Sequence, residues 1–194
     1  MATREFADQG FAGARVDEIA AQTRTTKRMI YYYFGGKEQL FVAVLEQAYA
    51  AIRRAEQTID VDHLAPTAAI RRLAELTFDH HEAHPDFIRL VSIENIHHAE
   101  HIAGRDDFAG QNSPAIELIE AILERGRREG AFTRDVDAVD LHMIISSFCV
   151  FRVANRHTFG AIFSRDLTDP RLREGYRRML GDLVVAYLQP DAAP

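Results

Sequence analysis

The chain has 194 residues, a formal net charge of −6 and a single cysteine, Cys149. This length allows one substantial core, or a core with a small appended domain, and a lone thiol excludes both an internal disulfide and a thiolate-rich metal site. No apolar run approaches the roughly 18 residues of a membrane span and the opening MATREFADQG lacks the apolar centre of a signal peptide, so a cytoplasmic protein is expected.

The charge is unevenly spread. Met1 to Lys37 carries six basic and four acidic residues, a net +2, whereas the remainder is −8. Such a chain repels polyanions over most of its surface and admits them at one end.

Apolar residues recur at helical spacing almost throughout, with no convincing alternation at period two, so the fold is expected to be all-α with about nine helices. A stub from Glu5 to Gln9 is closed by Gly10. Val16 to about Thr23 forms a second short helix, and Thr26 to Phe34 a third, stopped by the Gly35-Gly36 pair. Lys37 opens a long fourth helix reaching about Gln57. After the DVDHLAP connection, Pro66 starts a fifth that ends near His84. The sixth covers Asp86 to about Ile102. GRDDFAGQNSP reads as a loop, with Pro114 opening a seventh helix that ends near Gly130. The eighth, from Val136 to Phe159, is apolar on most sides. The ninth runs from Pro170 to Leu188, and the tail QPDAAP is expected to fray.

Two short helices joined by a tight polar turn match the helix-turn-helix pattern, whose second helix enters the DNA major groove. Thr26 can cap that helix and leave its N–H groups facing phosphate. Lys27 and Arg28 then stand in the first turn, where side chains reach base edges or phosphates. Ile30 should face inward with Ile19, and Met29 outward. Three adjacent tyrosines cannot share one face. Tyr33 or Tyr31 is expected to pack inward with Phe34, while the others, Tyr32 among them, present rings and hydroxyls to the sugar-phosphate wall. The expected DNA-binding set is Arg15, Thr25, Thr26, Lys27, Arg28, Met29, Tyr31, Tyr32, Tyr33 and Lys37.

The run FADQGFAGARVDEIAAQTRTTKRMIYYYFGGKEQLFVAVLE resembles the N-terminal DNA-binding domain of the TetR/AcrR transcriptional regulators in the order and spacing of its GF, I-A, YYYF and K-E-x-L elements. The resemblance implies a DNA-binding domain over residues 1–46. A larger helical domain over 47–190 would bind a small effector and pair two copies on a palindromic operator. Three positions depart from the family pattern. The first helix lacks the turns that usually precede FADQGF. Ala14-Arg15 stands where a Ser or Thr cap is usual, and Arg24 stands where the turn usually carries Gly.

In the body of the chain, Phe87, Val91, Glu94, Asn95 and His98 form one stripe of the sixth helix, and Phe148, Arg152 and Asn155 fall on a line of the eighth. If these faces meet they make an apolar cavity with a few polar groups, the usual form of a ligand site. An arginine in an apolar helix needs a partner, which would be Glu94 or an acidic ligand. Tyr176, Met179, Leu183 and Tyr187 of the ninth helix are the expected dimer contacts, unless these helices only complete the monomer's own core. Glu94-Asn-Ile-His97 is an E-x-x-H, and the pairs His80/His84 and His97/His101 have chelating spacing. A second E-x-x-H is absent from the sequence, so no metal or other cofactor is expected. Neither a G-x-S-x-G, a P-loop nor a Rossmann glycine pattern occurs, and no enzymatic activity is expected. The sequence reads as a ligand-responsive repressor. The alternative is a small-molecule or metal-binding helical protein with little DNA affinity, motivated by the short first helix.

Overall fold

The computed structural model describes residues 1–59 and 63–189, with the side chains at 106, 107, 109 and 111–113 left aside. Among the described residues there are ten helices and no strand: α1 (Ala2–Gly13), α2 (Val16–Gln22), α3 (Lys27–Phe34), α4 (Lys37–Glu56), α5 (Pro66–Ala83), α6 (Pro85–Ile96), α7 (Asp106–Arg128), α8 (Ala138–Ala154), α9 (Arg156–Phe163) and α10 (Pro170–Leu188). No single described helix is long and apolar enough to cross a membrane.

At Pro66, Pro170 and Asp137 the helix ends fall close to expectation, whereas Pro114, expected to open the seventh helix, lies inside α7. Pro170 sits in the first turn of α10 behind Asp169, whose carboxylate accepts from the Arg171 N–H at 2.9 Å. Asp137 caps α8 by accepting from the Val139 N–H at 2.7 Å. Such caps satisfy donors that an isolated helix end leaves open.

Four boundaries differ from expectation. The first helix starts at Ala2 and continues past Gly10, which leaves helical geometry at φ 68°, ψ 172° and kinks the helix before Gly13. The sixth helix stops at Ile96 because His98 and Ala99 turn left-handed. The expected loop around GRDDFAGQNSP is instead the start of α7, anchored by the buried Phe108. The apolar stretch expected as one helix breaks at Asn155 into α8 and α9, which are bent by 69°. This break raises the helix count from nine to ten. The expectations for residues 60–62 and for the fraying tail at 190–194 lie outside the described residues.

The chain divides into two compact units, Met1–Ala51 with His84–Gln111, and Ile52–Ala83 with Asn112–Pro194. The first unit therefore extends beyond the expected boundary after residue 46, because α6 packs along α1. Its core joins Phe6, Val16, Ile19, Ile30, Phe41, Leu45 and Leu90. The core of the second unit joins Ile70, Phe78, Ile122, Leu141, Ile145, Leu180 and Val184 from α5, α7, α8 and α10.

Candidate nucleic-acid interface and ligand cavity

In the first unit, α2 and α3 pack against each other through Ile19 and Ile30, both buried. Between them Arg24 adopts φ 53°, and the turn is closed by Thr25 N–H donating to the Ala20 carbonyl at 3.0 Å. Thr26 is extended, and its Oγ1 accepts from the Met29 N–H at 3.2 Å. At the other end Gly35 is left-handed (φ 87°), and its N–H donates to the Tyr31 carbonyl at 2.8 Å. α3 is thus short and capped at both ends.

Every side chain of α3 except Ile30 is exposed. Thr25, Thr26, Lys27 and Arg28 are open to solvent, and Met29, Tyr31, Tyr32 and Tyr33 are 40%, 42%, 79% and 71% exposed. The expectation that Tyr31 or Tyr33 packs inward with Phe34 is corrected, since Phe34 is itself 41% exposed. Ile30 alone fills the space over the core, and the helix ends before a second inward residue gains cover. A row of aromatic rings and cations that nothing covers is the surface expected of a nucleic-acid contact.

Of two further cations of the expected set, Arg15 is placed by its backbone and Lys37 by its side chain. Arg15 is the N-cap residue of α2; its backbone N–H donates to Glu5 Oε1 at 3.2 Å, and its side chain makes no cap bond. Lys37 is half-buried. Its Nζ donates to the Ala12 carbonyl at 3.1 Å and lies 5.1 Å from the centre of the Phe11 ring.

The expected ligand residues belong to different compact units. In the first, Phe87 is buried edge-on to Tyr49 at 5.2 Å, Val91 is half-buried, and the exposed Asn95 donates to the Val91 carbonyl. Glu94 is buried against His101, and His98 lies beyond the end of α6 with φ 56°. His98 therefore leaves the expected stripe. In the second unit, Arg152 takes Glu82 rather than Glu94 as its acidic partner (Nη2 to Oε1, 3.1 Å). Its Nη1 donates to the Leu167 carbonyl at 2.8 Å, and its guanidinium carbon stands 4.1 Å from the centre of the Phe78 ring. Asn155 ends α8, with its carbonyl accepting from the Phe159 N–H at 2.8 Å.

Phe148 and Arg152 do line a cavity of about 530 Å³ together with Ile144, Ser147, Phe151, Leu167, Tyr176, Leu180 and Leu183. Sequence reasoning missed most of this lining, and assigned Tyr176 and Leu183 to a dimer contact or the monomer's own core rather than to a ligand. The available signal was the all-round apolar character of α8 beside the stripe of α10. Along the same two helices Val139, Met143, Phe151, Met179, Leu183 and Tyr187 remain exposed, whereas Tyr176 is half-buried with its hydroxyl accepting from Arg165. Cys149 is buried in the core of the second unit, and burial pushes its thiol up to about 12, so it stays protonated and inert.

Fold and exposed head together define an all-helical transcriptional regulator with an N-terminal helix-turn-helix. Residues 1–44 match the family described as bacterial regulatory proteins, tetR family, and residues 66–184 match the tetracyclin repressor-like C-terminal domain. The chain is 32% identical over 188 residues to the HTH-type transcriptional repressor NicS of Pseudomonas putida, covering 97% of this chain and 89% of that protein. It is also 32% identical over 148 residues to the HTH-type transcriptional repressor SCO4008 of Streptomyces coelicolor, covering 74% and 70%. Among solved structures, the Streptomyces coelicolor protein SCO4942 superposes with a TM-score of 0.69 at 28% identity, covering 97% of this chain and 95% of that one. The chain belongs to the TetR family of bacterial transcriptional regulators.

Proposed function

We propose that the protein is a cytoplasmic, homodimeric, ligand-responsive repressor that places α3 in the major groove of a palindromic operator. The observation that carries this reading is the uncovered tip of α3, where Lys27, Arg28, Met29 and three tyrosines stand open around a capped helix start. Lys27, Arg28 and the N–H groups of the first turn meet phosphate and base edges, because a helix start carries unsatisfied donors and a partial positive charge. Tyr31, Tyr32 and Tyr33 face the sugar-phosphate walls. Arg15 and Lys37 flank them, and Thr25 and Thr26 complete the contact. Residues 1–46 supply this reading head, and residues 47–190 supply the effector site and the dimer face.

Two copies meet through the exposed apolar rows of α8 and α10, including Met179, Leu183 and Tyr187, with Tyr176 at the edge. Pairing sets the reading helices about 34 to 36 Å apart, one helical turn of DNA. The effector is a small, largely apolar molecule, since 530 Å³ falls within the range of ligand pockets and Arg152 is the buried charge in the lining. It relieves repression by binding better to the dimer whose reading heads are wrongly spaced, because equal affinity for both states shifts nothing.

The test is to mix the protein with fragments of its own genome and sequence what is retained. A shared palindrome is expected, with Lys27→Ala and Arg28→Ala weakening its retention and lowering the salt dependence. Retention unaffected by both substitutions places the reading surface elsewhere.

A further inference from the structure

After α6 the chain makes a tight turn in which two successive non-glycine residues, His98 (φ 56°) and Ala99 (φ 60°), are left-handed, a conformation that L side chains resist. Backbone bonds such as Ala103 N–H to the Ala99 carbonyl at 2.8 Å close this turn, and one buried side chain ties it to α6. Glu94 is 2% exposed, and its Oε1 accepts from the His101 backbone N–H at 2.8 Å while its Oε2 lies 2.9 Å from His101 Nδ1. The Ala99 N–H adds a bond to the Glu94 carbonyl at 2.9 Å. The His101 ring, 5% exposed, is thereby set against Phe11 and Phe41, with centroid distances of 4.3 and 5.0 Å. Phe11 directly follows the kink at Gly10 and precedes Ala12, whose carbonyl holds Lys37.

We infer that Glu94 and His101 are positioning residues for DNA binding, acting through Phe11. This rests on the reading of α2 and α3 as a DNA-binding head. Glu94 fixes His101, the His101 ring braces Phe11, and Phe11 fixes the segment from Phe11 to Arg15 that bears Arg15 and anchors Lys37. A plain apolar core would fill the same space without burying a carboxylate, which is costly unless its oxygens are satisfied. Here both oxygens are satisfied on one residue, and only while the left-handed turn is formed. Opening the turn withdraws the ring from Phe11, which then keeps only Phe41 at 5.2 Å and Phe6 at 6.5 Å, and the kink at Gly10 joins the residues after it only loosely to the first part of α1.

The experiment uses the full-length protein and the genomic DNA fragment that it retains. His101→Asn keeps a donor near the position of Nδ1 for Glu94 but removes the ring, and is expected to weaken binding about tenfold. Phe11→Ala is expected to do the same, and the double variant no worse than Phe11→Ala alone, because residues acting in series are non-additive. Glu94→Gln still accepts from the His101 N–H and donates to its ring, so it retains binding within about threefold, whereas Glu94→Leu matches His101→Asn. The slope of log affinity against log salt falls by about one for each phosphate that Arg15 or Lys37 ceases to neutralise, a change that reduced stability alone does not produce. Thermal melting checks the fold, and the salt slope of Glu94→Leu decides the matter where His101→Asn does not fold. Losses that multiply in the double variant, an unchanged slope, or Glu94→Gln as damaging as Glu94→Leu overturn the inference. A wild-type protein that retains no DNA overturns the DNA-binding reading instead, and this inference falls with it.

Discussion

Lys27 Nζ lies 3.1 Å from Asp17 Oδ2, so the first cation of the reading helix is tied to the helix before it. Both side chains are about half exposed (49% and 55%), and a pair of this kind contributes little to stability, about 0 to 1 kcal/mol. If Lys27 meets phosphate as proposed, the larger effect is on DNA, because the Asp17 carboxylate both holds Lys27 and repels phosphate at the same place. Asp17→Asn is expected to tighten operator binding several-fold at low salt, with the gain shrinking as salt rises. Lys27→Ala should weaken binding and leave of the Asp17→Asn benefit only the part due to direct repulsion of phosphate. Equal affinity of Asp17→Asn and wild type, across a salt series, would place Lys27 away from the phosphates.

Arg24 occupies a left-handed position between α2 and α3 (φ 53°) that costs a side-chain-bearing residue about 1 kcal/mol relative to glycine. Arg24→Gly is therefore expected to raise unfolding stability by up to about 1 kcal/mol, offset in part by the extra freedom glycine gives the unfolded chain. A urea midpoint that falls instead would show that the exposed Arg24 side chain supplies more than its backbone costs.

The readability of the chain divides along physical lines. α3, its Thr26 cap and its Gly35 stop were legible because all of them act within a few residues of one another. So were the proline-led starts of α5 and α10. The break at Asn155 was not, because no proline or glycine stands at it and apolar residues resume at helical spacing with Phe159, Ile162 and Phe163. The end of α6 at Ile96 was hidden for a similar reason, since the left-handed His98 and Ala99 depend on the burial of Glu94 against His101. Arg152 was rightly expected to need a partner, but the choice of Glu82 over Glu94 is set by how α5 and α8 pack, at a separation of 70 positions that no local pattern reports. The tyrosines failed for the opposite reason: helical angle assigns faces, yet an eight-residue helix has too little cover to bury more than Ile30.

Burial raises Glu56 from its ordinary 4.5 to about 7, with the Arg53 guanidinium, 2.9 Å away, opposing the rise. Between these values the folded protein binds more protons than the unfolded chain, so stability falls as pH climbs from 4.5 to 7 and then levels. The whole loss is at most about 3 kcal/mol. His142 acts in the other direction, since burial and Arg53 lower its pKa from 6.5 and make its contribution decline as pH drops below that value. Glu56→Gln should abolish the alkaline-going loss and leave only the His142 slope. Urea midpoints at pH 5, 6, 7 and 8, at one protein concentration, measure the difference. A Glu56→Gln profile parallel to wild type would mean that Glu56 is ionised throughout.

Leu183 is 54% exposed on α10 while its neighbours Leu180 and Val184 are buried, and Met143 is 60% exposed on α8. Large apolar side chains in rows on two helices of the same unit are the kind of surface that a second copy covers, since closed two-fold pairing lets one patch cover its equivalent. Leu183→Glu puts a carboxylate into that contact, where an unpaired charge is strongly disfavoured. The variant should sediment near 22.0 kDa, the mass of one chain, while wild type sediments near twice that value. Its affinity for the full operator should fall towards that for a half-site, because two reading heads no longer bind as one body. Leu183 also lines the cavity, so Met143→Glu, which does not, separates the two roles. Loss of the dimer in both variants assigns the face to pairing. A dimer that survives both substitutions shows that the copies meet elsewhere and leaves the apolar rows to the effector.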